Sequence, residues 1–301
     1  MANRRYTRDR KKDRQANTLN YFIFGNKVVN RNSQFLFRSQ KNKVNLNAWI
    51  VPNCDNQNTG DYLSKIIVKN MCSKFGIDID QETKETKHLY AIGSILLGYQ
   101  DMTVWGSGFG IDITLSSFFK LYKISHKIKH QKVDIRAVRG PETRRILLNM
   151  GYNCPEIYGD PAILLPLFYP KKLKKRYDYT VIPPYSKNEK YRDNENFLDS
   201  INKDWKSFID RIAASKLVIS SSLHGIILAE SYGVPAVMLK DTPHNDITKY
   251  KDWYYSTGRK LFPIAKSVEE ALNLEPSLLE KNTLQKMQDG LIETFPVDLW
   301  M

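Results

Sequence analysis

One segment, residues 218–239, constrains the fold of this chain more than any other. Its letters are VISSSLHGIILAESYGVPAVML, so an apolar run, a serine turn, a second apolar run and a Gly-Val-Pro break follow one another. This order predicts a strand, a turn, a short helix and a second strand, the unit from which parallel sheets are built. His224 falls at the start of the helix, where unpaired backbone N–H groups attract anions. Because histidine exchanges protons near neutral pH, the segment predicts an anion site beside a proton carrier.

The same alternation of strands and helices extends along the chain. Strand patterns occupy residues 44–51, 88–94, 102–106, 133–138, 156–158, 179–182, 217–219 and 236–239. Helical patterns occupy residues 58–75, 141–150, 204–214, the stretch after His224, and residues 246–255 and 277–294, with a capping box from Ser267 to Glu270. We therefore expect an α/β protein of two Rossmann-like domains that face each other across a cleft.

A segment rich in proline and lysine, residues 166–176, divides the strand–helix pattern into two halves. The expected organisation is a basic, partly irregular N-terminal arm, an N-terminal α/β domain and a C-terminal α/β domain, at residues 1–42, 43–168 and 177–301. Loops after strands at the carboxyl edge of such sheets bind ligands. The loops at residues 106–110, 139–141 and 220–225 are therefore expected to surround one site.

The charge of the chain is strongly positive, with a formal net charge of +14. Residues 1–14 alone hold seven basic residues and two aspartates. Such an arm is typical of a solvated tail, of a nucleic-acid contact, or of attraction to anionic substrates and membrane surfaces. No nucleic-acid module follows it, so we expect no specific nucleic-acid partner.

Two function classes are disfavoured by composition. No apolar run reaches the about 18 residues of a membrane span, and the N-terminus lacks the apolar core of a secretory signal. The three cysteines, Cys54, Cys72 and Cys154, are odd in number and have no paired spacing. They favour a reducing cytoplasm and disfavour a disulfide scaffold or a zinc site, so we predict no metal.

Six short islands together resemble the polysaccharide pyruvyl transferase family. They are NTGD at 58–61, GSG at 106–108, VRGP at 138–141 with Thr143, YGDPA at 158–162, SSLHG at 221–225 continued by GVP at 233–235, and KYKDWYY at 249–255. Each island alone is a weak signal, but their order and spacing make the resemblance fairly specific. It extends from about residue 58 to residue 258.

The resemblance implies a fold similar to two-domain GT-B glycosyltransferases, with the acceptor on the N-terminal domain and the donor on the C-terminal domain. It implies phosphoenolpyruvate as a co-substrate, with no other cofactor. The implied acceptor is a sugar of a cell-surface polysaccharide or of a lipid-linked oligosaccharide precursor, and the implied product is a cyclic pyruvate ketal with release of phosphate. It also implies a cytoplasmic location, with peripheral association at the inner membrane face conceivable for so basic a chain.

Two residues are the catalytic candidates. His224 is the expected general acid or base, because imidazole suits proton transfer near neutral pH; the alternative is a capping or buried structural histidine. Asp61 is expected to orient an acceptor hydroxyl or to act as a base, and its alternative is helix capping after Gly60. Asp160, before Pro161, is expected to form a turn rather than to take part in catalysis.

The donor candidates are cations, hydroxyls and glycines that follow predicted strands. Arg139 is expected to hold the donor carboxylate with its guanidinium fork; its alternative is to pair with an acidic residue or to cap a neighbouring carbonyl. The remaining donor candidates are Ser221, Ser222, Leu223 and Gly225 at the helix start, Lys249, and the turn Gly106, Ser107 and Gly108. Family members commonly carry an arginine where this chain has Ser222, which removes one expected cation. Glu230 is either buried with a partner or faces the cleft.

Two other functions compete with pyruvyl transfer. A GT-B glycosyltransferase that uses a nucleotide sugar carries two glutamates eight positions apart in its donor-binding helix. Glu230 matches the later glutamate, whereas the earlier position is Ser222. This difference, together with His224, favours pyruvyl transfer. A non-enzymatic protein that binds nucleic acid through the N-terminal arm is the other alternative.

Overall fold

The structure is a computed structural model, which describes residues 21–24, 27–30, 35–36, 40–49, 58–96, 101–110, 132–184, 187–202, 204–240, 247–276 and 278–301. Its strands are β1 (Tyr21–Phe24), β2 (Lys27–Asn30), β3 (Phe35–Leu36), β4 (Val44–Trp49), β5 (Lys87–Tyr90), β6 (Met102–Trp105), β7 (Val133–Ala137), β8 (Thr180–Ile182), β9 (Val218–Ser220), β10 (Ala236–Leu239) and β11 (Ile264–Ala265). Its α-helices are α1 (Thr59–Lys74), α2 (Pro141–Asn149), α3 (Leu165–Phe168), α4 (Asn188–Tyr191), α5 (Trp205–Ala213), α6 (Leu223–Ser231), α7 (Thr248–Ser256), α8 (Val268–Leu272) and α9 (Lys281–Glu293). Two 3-10 helices occupy Pro161–Leu164 and Val297–Trp300.

Two parallel sheets organise the molecule. The first has the order β3-β4-β5-β6-β7, in which β4 to β7 are parallel and β3 pairs antiparallel with β4. The second has the order β11-β10-β9-β8, and all its neighbours are parallel. The predicted α/β class with parallel sheets is therefore confirmed. The antiparallel pair β1–β2 and the strand β3 lie in the arm that was expected to be partly irregular, and they were not predicted.

Local sequence explains most of these elements. The strands β6, β8, β9 and β10 are buried along their whole length, as is typical of strands of parallel sheets that are covered on both faces. Helix α1 begins after Asn58, whose side chain accepts hydrogen bonds from Gly60 N and Asp61 N. The strand predicted at residues 156–158 is reduced to a single parallel bridge between Val138 and Tyr158.

The two halves share one apolar core. Leu63 and Ile67 of α1 belong to the same buried cluster as Ile226 of α6, and the 3-10 helix Pro161–Leu164 packs between α1 and α6. Thr59 N donates to Ser200 O at 2.8 Å, which ties the start of α1 to the second half. Within the described ranges the structure shows the two sheets and their helices, but it does not show a cleft between two domains.

The last segment of the chain returns to the first half. Trp105 of β6 donates from its indole N–H to Leu291 O of α9 at 2.8 Å. Phe295 packs edge-on against the same indole, with ring centroids 5.0 Å apart. The predicted C-terminal domain, residues 177–301, therefore sends its final helix onto the N-terminal sheet. None of the helices in the described ranges is long and apolar enough to cross a membrane.

Candidate active site

The candidate site lies where the first turns of α1, α6 and α7 meet the start of the 3-10 helix Pro161–Leu164. Asp61 is in the first turn of α1, His224 in that of α6 and Lys249 in that of α7. Asp160 is the N-cap of the 3-10 helix. Helix N-termini carry partial positive charge and free N–H groups, so their convergence favours an anion.

The start of α1 and the start of the 3-10 helix are fixed by side-chain caps. Asn58 Oδ1 accepts from Gly60 N at 3.1 Å and from Asp61 N at 3.4 Å. Asp160 Oδ1 accepts from Ala162 N at 3.0 Å. Both caps are short-range, so they place Asp61 and Asp160 at the site independently of any ligand.

The start of α6 is held by the serine turn. Ser220 Oγ accepts from Ser222 N at 3.0 Å, while the Ser222 side chain makes no capping hydrogen bond of its own. Tyr250 of α7 donates its hydroxyl to Ser221 O at 2.6 Å. The side chain of Ser222 is half-buried, and the helix does not use it as a cap. The hydrogen bond from Tyr250 anchors α7 directly to the serine turn.

His224 sits directly against Gly60. A Cβ atom added at Gly60 would lie 2.1 Å from His224 Nδ1 and 2.3 Å from its Cγ. No side chain fits in that space, so the imidazole reaches this position only because residue 60 is glycine. The imidazole keeps 11% of its surface accessible. The island at residues 58–61 thus shapes the pocket of the histidine as well as carrying Asp61.

Three polar atoms around this histidine have no hydrogen-bond partner among the described residues. They are Asp160 Oδ2, Ser221 Oγ and His224 Nε2, and all three are buried. Asp160 Oδ2 lies 3.6 Å from His224 Nε2, a separation that is longer than a hydrogen bond but short for opposite charges. Buried polar groups are normally satisfied, so this cluster marks a place for chemistry or a ligand.

Burial and neighbouring charges shift the acid–base properties of the site. The pKa of Asp61 is raised to about 6, mainly by burial and in part by the charge of Asp160, while His224 and Lys249 act in the opposite direction. Burial lowers the pKa of His224, but Asp160 and Asp61 outweigh burial and the opposing charge of Lys249, so the pKa is raised overall. A carboxyl and an imidazole whose pKa values are both shifted by mutual charges and burial suit proton transfer.

Arg139 has no accessible surface and is fully engaged. Its Nε donates to Asp252 Oδ2 at 3.0 Å, and its other nitrogens donate to Ser94 Oγ and to Phe109 O, each at 2.7 Å. Thr143 completes the coordination of Asp252 with its backbone N–H and its hydroxyl. The structure therefore shows Arg139 paired with an acidic residue and bonded to a backbone carbonyl. A donor-binding role for Arg139 stays a prediction.

The Gly-Ser-Gly turn packs against protein atoms. Ser107 Oγ donates to Gly93 O at 2.8 Å, and a Cβ at Gly108 would lie 2.5 Å from Arg139 Cζ. Gly106 lies against Pro161, where a Cβ would come within 2.3 Å of the ring. In the described structure, the space beside Gly106 and Gly108 is thus occupied by neighbouring side chains.

The remaining candidates lie on α6 and α7. Leu223 and Gly225 are buried, and Gly225 packs against Ser220. Glu230 is buried and bound to the indole N–H of Trp253 and to both terminal nitrogens of Arg259. Of the two alternatives for Glu230, the structure contains the buried, partnered one.

Two functional candidates escaped the sequence analysis. Asp160 forms the turn that was expected, yet its second carboxylate oxygen points at His224. Asp252 pairs with Arg139 across 113 positions of sequence, which no local pattern indicates. The sequence did contain one signal for Asp160. This aspartate directly precedes a proline, follows a predicted strand and is itself followed by a short buried helix. Among the described residues, no group of three or more His, Cys, Asp or Glu is placed to hold a metal ion.

The fold and the site define a class: an α/β protein with parallel sheets in which a histidine and two aspartates lie at converging helix N-termini. The family model for polysaccharide pyruvyl transferase matches residues 58–241, which is more than half of the chain and includes every site residue that the sequence analysis predicted except Lys249. The chain belongs to the polysaccharide pyruvyl transferase family.

A relative of similar sequence is an uncharacterized protein, L143, of Acanthamoeba polyphaga mimivirus. The two are 27% identical over 196 residues, which cover 61% of this chain and 64% of the viral protein. The name of the relative specifies no activity, so the likeness adds no chemistry to the family assignment.

Proposed function

We propose that this protein transfers pyruvate from phosphoenolpyruvate to two hydroxyls of a sugar, forming a cyclic ketal and releasing phosphate. The observation that carries the proposal is that His224 and Asp61, both buried in the region that matches the family, lie close enough for each to shift the pKa of the other. The acceptor in the proposal is a sugar of a cell-surface polysaccharide or of a lipid-linked precursor. Phosphoenolpyruvate is a co-substrate, and the proposal includes no metal or other cofactor.

The donor is proposed to bind at the start of α6. Its phosphate and carboxylate would face the N–H groups of that first turn, the hydroxyl of Ser221 and the ammonium group of Lys249. The buried Ser221 Oγ without a partner supports this placement. Ser222, Leu223 and Gly225 belong to the same turn, so they would contribute backbone rather than charge.

The reaction begins with protonation of the enol. Protonated His224 gives its proton to the methylene carbon, which becomes the methyl group, and the double-bond electrons form the new C–H bond. The adjacent carbon becomes electrophilic and is attacked by the first sugar hydroxyl, whose proton passes to the carboxylate of Asp61. The phosphate then leaves with the electrons of its C–O bond, and the second hydroxyl closes the ring and gives its proton to the phosphate.

Arg139 and the turn at residues 106–108 have a secondary place in this proposal. For Arg139 to bind the donor carboxylate, its guanidinium would exchange one of its present partners, of which Asp252 is the only acidic one. We propose that it first of all fixes α2 and α7 relative to each other, and that Gly106, Ser107 and Gly108 shape the wall beside it. The KM for phosphoenolpyruvate, measured in variants of these residues, tests whether they also bind the donor.

The GT-B-like arrangement and the cellular location belong to the same proposal. We place the acceptor on the side of the first sheet and the donor on the side of the second. The protein would act in the cytoplasm, and the strongly basic composition is compatible with peripheral contact to an anionic membrane surface where a lipid-linked acceptor resides.

A glycosyltransferase remains the alternative, but one observation counts against it. Glu230, the residue that matches the later donor-site glutamate of those enzymes, is buried against Arg259 and Trp253. A carboxylate occupied in this way is not open to a nucleotide sugar. The competing nucleic-acid function is tested by deletion of residues 1–14, which would abolish nucleic-acid binding but leave a pyruvyl transferase active.

The direct test is phosphate release from phosphoenolpyruvate in the presence of a broad glycan panel. We expect release with at least one acceptor, and titration calorimetry should show binding of phosphoenolpyruvate but not of UDP. The His224→Gln variant should lose nearly all turnover while its circular dichroism and thermal transition stay unchanged. Consumption of a nucleotide sugar without phosphoenolpyruvate turnover would transfer the assignment to the glycosyltransferase class.

A further inference from the structure

We infer that Asp160 is a positioning residue for His224: its buried carboxylate orients the imidazole through the Nε2 edge and serves as its counter-ion. The inference rests on the proposed function, because it assigns a partner to the histidine that carries the proton there. Neither the sequence pattern nor the family match assigns this role to Asp160. The role follows from the way in which the two oxygens of the carboxylate are used.

The first oxygen fixes the carboxylate in place. Asp160 Oδ1 accepts from Ala162 N at 3.0 Å, which is the capping bond that begins the 3-10 helix. This bond determines the direction of the whole carboxyl group, because the two oxygens share one plane. The expectation that Asp160 forms a turn accounts for this oxygen and for nothing more.

The second oxygen has no such explanation. Asp160 Oδ2 is buried, has no hydrogen-bond partner among the described residues and points at His224 Nε2 from 3.6 Å. A carboxylate buried without a partner is strongly unfavourable, and removing it from water is compensated only by an opposite charge or by donors. The imidazole is the group that the structure places beside it, and His224 Nε2 is itself without a partner.

The opposite edge of the imidazole is controlled by backbone shape. Nδ1 lies against Gly60, where a Cβ atom would be 2.1 Å away. The ring is therefore confined on one side by the start of α1 and on the other by Asp160. A neighbouring carboxylate that holds one nitrogen of a histidine fixes which nitrogen carries the exchangeable proton. Such an arrangement suits a residue that must present one defined edge to a substrate.

The charges that face His224 come from three elements. Asp61 of α1 and Asp160 of the 3-10 helix raise its pKa, whereas Lys249 of α7 lowers it, and burial also lowers it. The direct neighbour among the carboxylates is Asp160, which lies within salt-bridge distance. Removing Asp160 should therefore lower the pKa of His224, and removing Lys249 should raise it.

The test is a titration of the imidazole in the intact protein. Asp160→Asn keeps an oxygen for the Ala162 cap but removes the charge, and Asp210→Asn is the matched control because it neutralises a partly exposed aspartate of α5. The His224 resonance is assigned by its loss in His224→Gln, since the chain has five histidines. We expect the pKa of His224 to fall by about one unit or more in Asp160→Asn, and to stay within error in Asp210→Asn.

A second variant keeps the inference testable if the asparagine protein folds poorly. Asp160→Ser retains a capping oxygen with a shorter side chain and should lower the pKa of His224 in the same way. The Lys249→Gln variant should shift the pKa in the opposite direction. An unchanged His224 titration in both Asp160 variants would overturn the assignment.

Kinetics separates the inference from the proposed function. If phosphoenolpyruvate is turned over, the high-pH limb of kcat should move to lower pH in Asp160→Asn, with little change in the KM for phosphoenolpyruvate. If the wild-type protein releases no phosphate from phosphoenolpyruvate, the proposed function fails, while the imidazole titration still decides whether Asp160 is paired with His224.

Discussion

Replacing Arg139 with methionine tests whether this arginine is a structural ion-pair partner or a donor-binding residue. Methionine retains much of the apolar stem but lacks the guanidinium. The exchange removes hydrogen bonds to Asp252, Ser94 and Phe109 O. It also leaves Asp252, whose side chain is 1% exposed, without its cationic partner.

The expected cost follows from burial. Breaking a buried ion pair by removing one partner typically costs about 3–5 kcal/mol, because the remaining charge is left uncompensated. Thr143 still donates two hydrogen bonds to Asp252, which moderates the loss towards the lower end of that range. We therefore expect the free energy of unfolding to fall by about 3 kcal/mol in Arg139→Met.

The matched control is Arg145→Met on the same helix. Arg145 is paired with Glu142, but its side chain is 51% exposed, and exposed pairs contribute about 1 kcal/mol or less. Urea unfolding of the two variants, followed by circular dichroism, gives the comparison directly. A double-mutant cycle with Asp252→Asn then isolates the coupling between Arg139 and Asp252.

The opposite result would refute the structural assignment. If Arg139→Met unfolds at the same urea concentration as Arg145→Met, but raises the KM for phosphoenolpyruvate tenfold or more, the guanidinium acts on the donor. The buried ion pair would then not describe the working state of the site. A large loss of stability with an unchanged KM in the folded fraction confirms the structural role.

Three further predictions concern the remaining groups of the site. Ser222→Arg supplies the cation that the family resemblance leads us to expect at this position, and we expect the KM for phosphoenolpyruvate to fall by about tenfold, as one added charged hydrogen bond contributes; an unchanged KM would show that the donor does not reach this turn. Asp61→Asn removes a carboxyl group whose folded-state pKa lies above its unfolded value, so the wild-type fold loses stability as the pH rises from 3.8 to about 6. In urea unfolding at pH 8, the free energy of unfolding of the variant should therefore exceed that of the wild type by up to about 3 kcal/mol, and this gain should vanish near pH 4. A gain independent of pH would contradict this reason, and kcat should be lost. Gly60→Ala should displace His224, lowering kcat at least tenfold with a folded circular dichroism spectrum, and wild-type kcat would contradict the close contact.

Local sequence signals were sufficient for the elements that carry the site. Helix α1 was predicted at residues 58–75 and occupies Thr59–Lys74, because Asn58 caps it and its apolar residues repeat at helical spacing. Strand β10 was predicted at its observed bounds, since a continuous apolar run after Gly-Val-Pro leaves little choice. The strands before residue 42 were missed, because their apolar runs are short and interrupted by polar residues.

Long-range partners were beyond the reach of sequence patterns. The sequence analysis named His224 and Asp61, but it could not show that Gly60 makes room for the imidazole, since that contact joins two helices far apart in the chain. It left Glu230 and Arg139 with open alternatives for the same reason. Arg259 lies outside every island, and the island that contains Asp252 does not indicate its partner, so only the packing of α7 against α2 and α6 reveals these contacts.

The charge of the described site bears on the serine at position 222, where the family resemblance leads us to expect an arginine. Two carboxylates, Asp61 and Asp160, face two groups that can be positive, His224 and Lys249. Arg139 is neutralised by Asp252, so it adds no net charge to the pocket. A fully ionised phosphoenolpyruvate carries three negative charges, and a site of near-zero net charge holds it mainly through helix N-termini and hydroxyls. It follows that donor affinity in this chain should depend on pH partly through Asp61, because protonation of that carboxyl below about pH 6 removes one repulsive charge. The Kd for phosphoenolpyruvate should therefore tighten more between pH 8 and pH 6 in the wild type than in Asp61→Asn, in which only the remaining groups titrate. Equal pH dependence of the calorimetric Kd in both proteins would show that the donor lies away from Asp61.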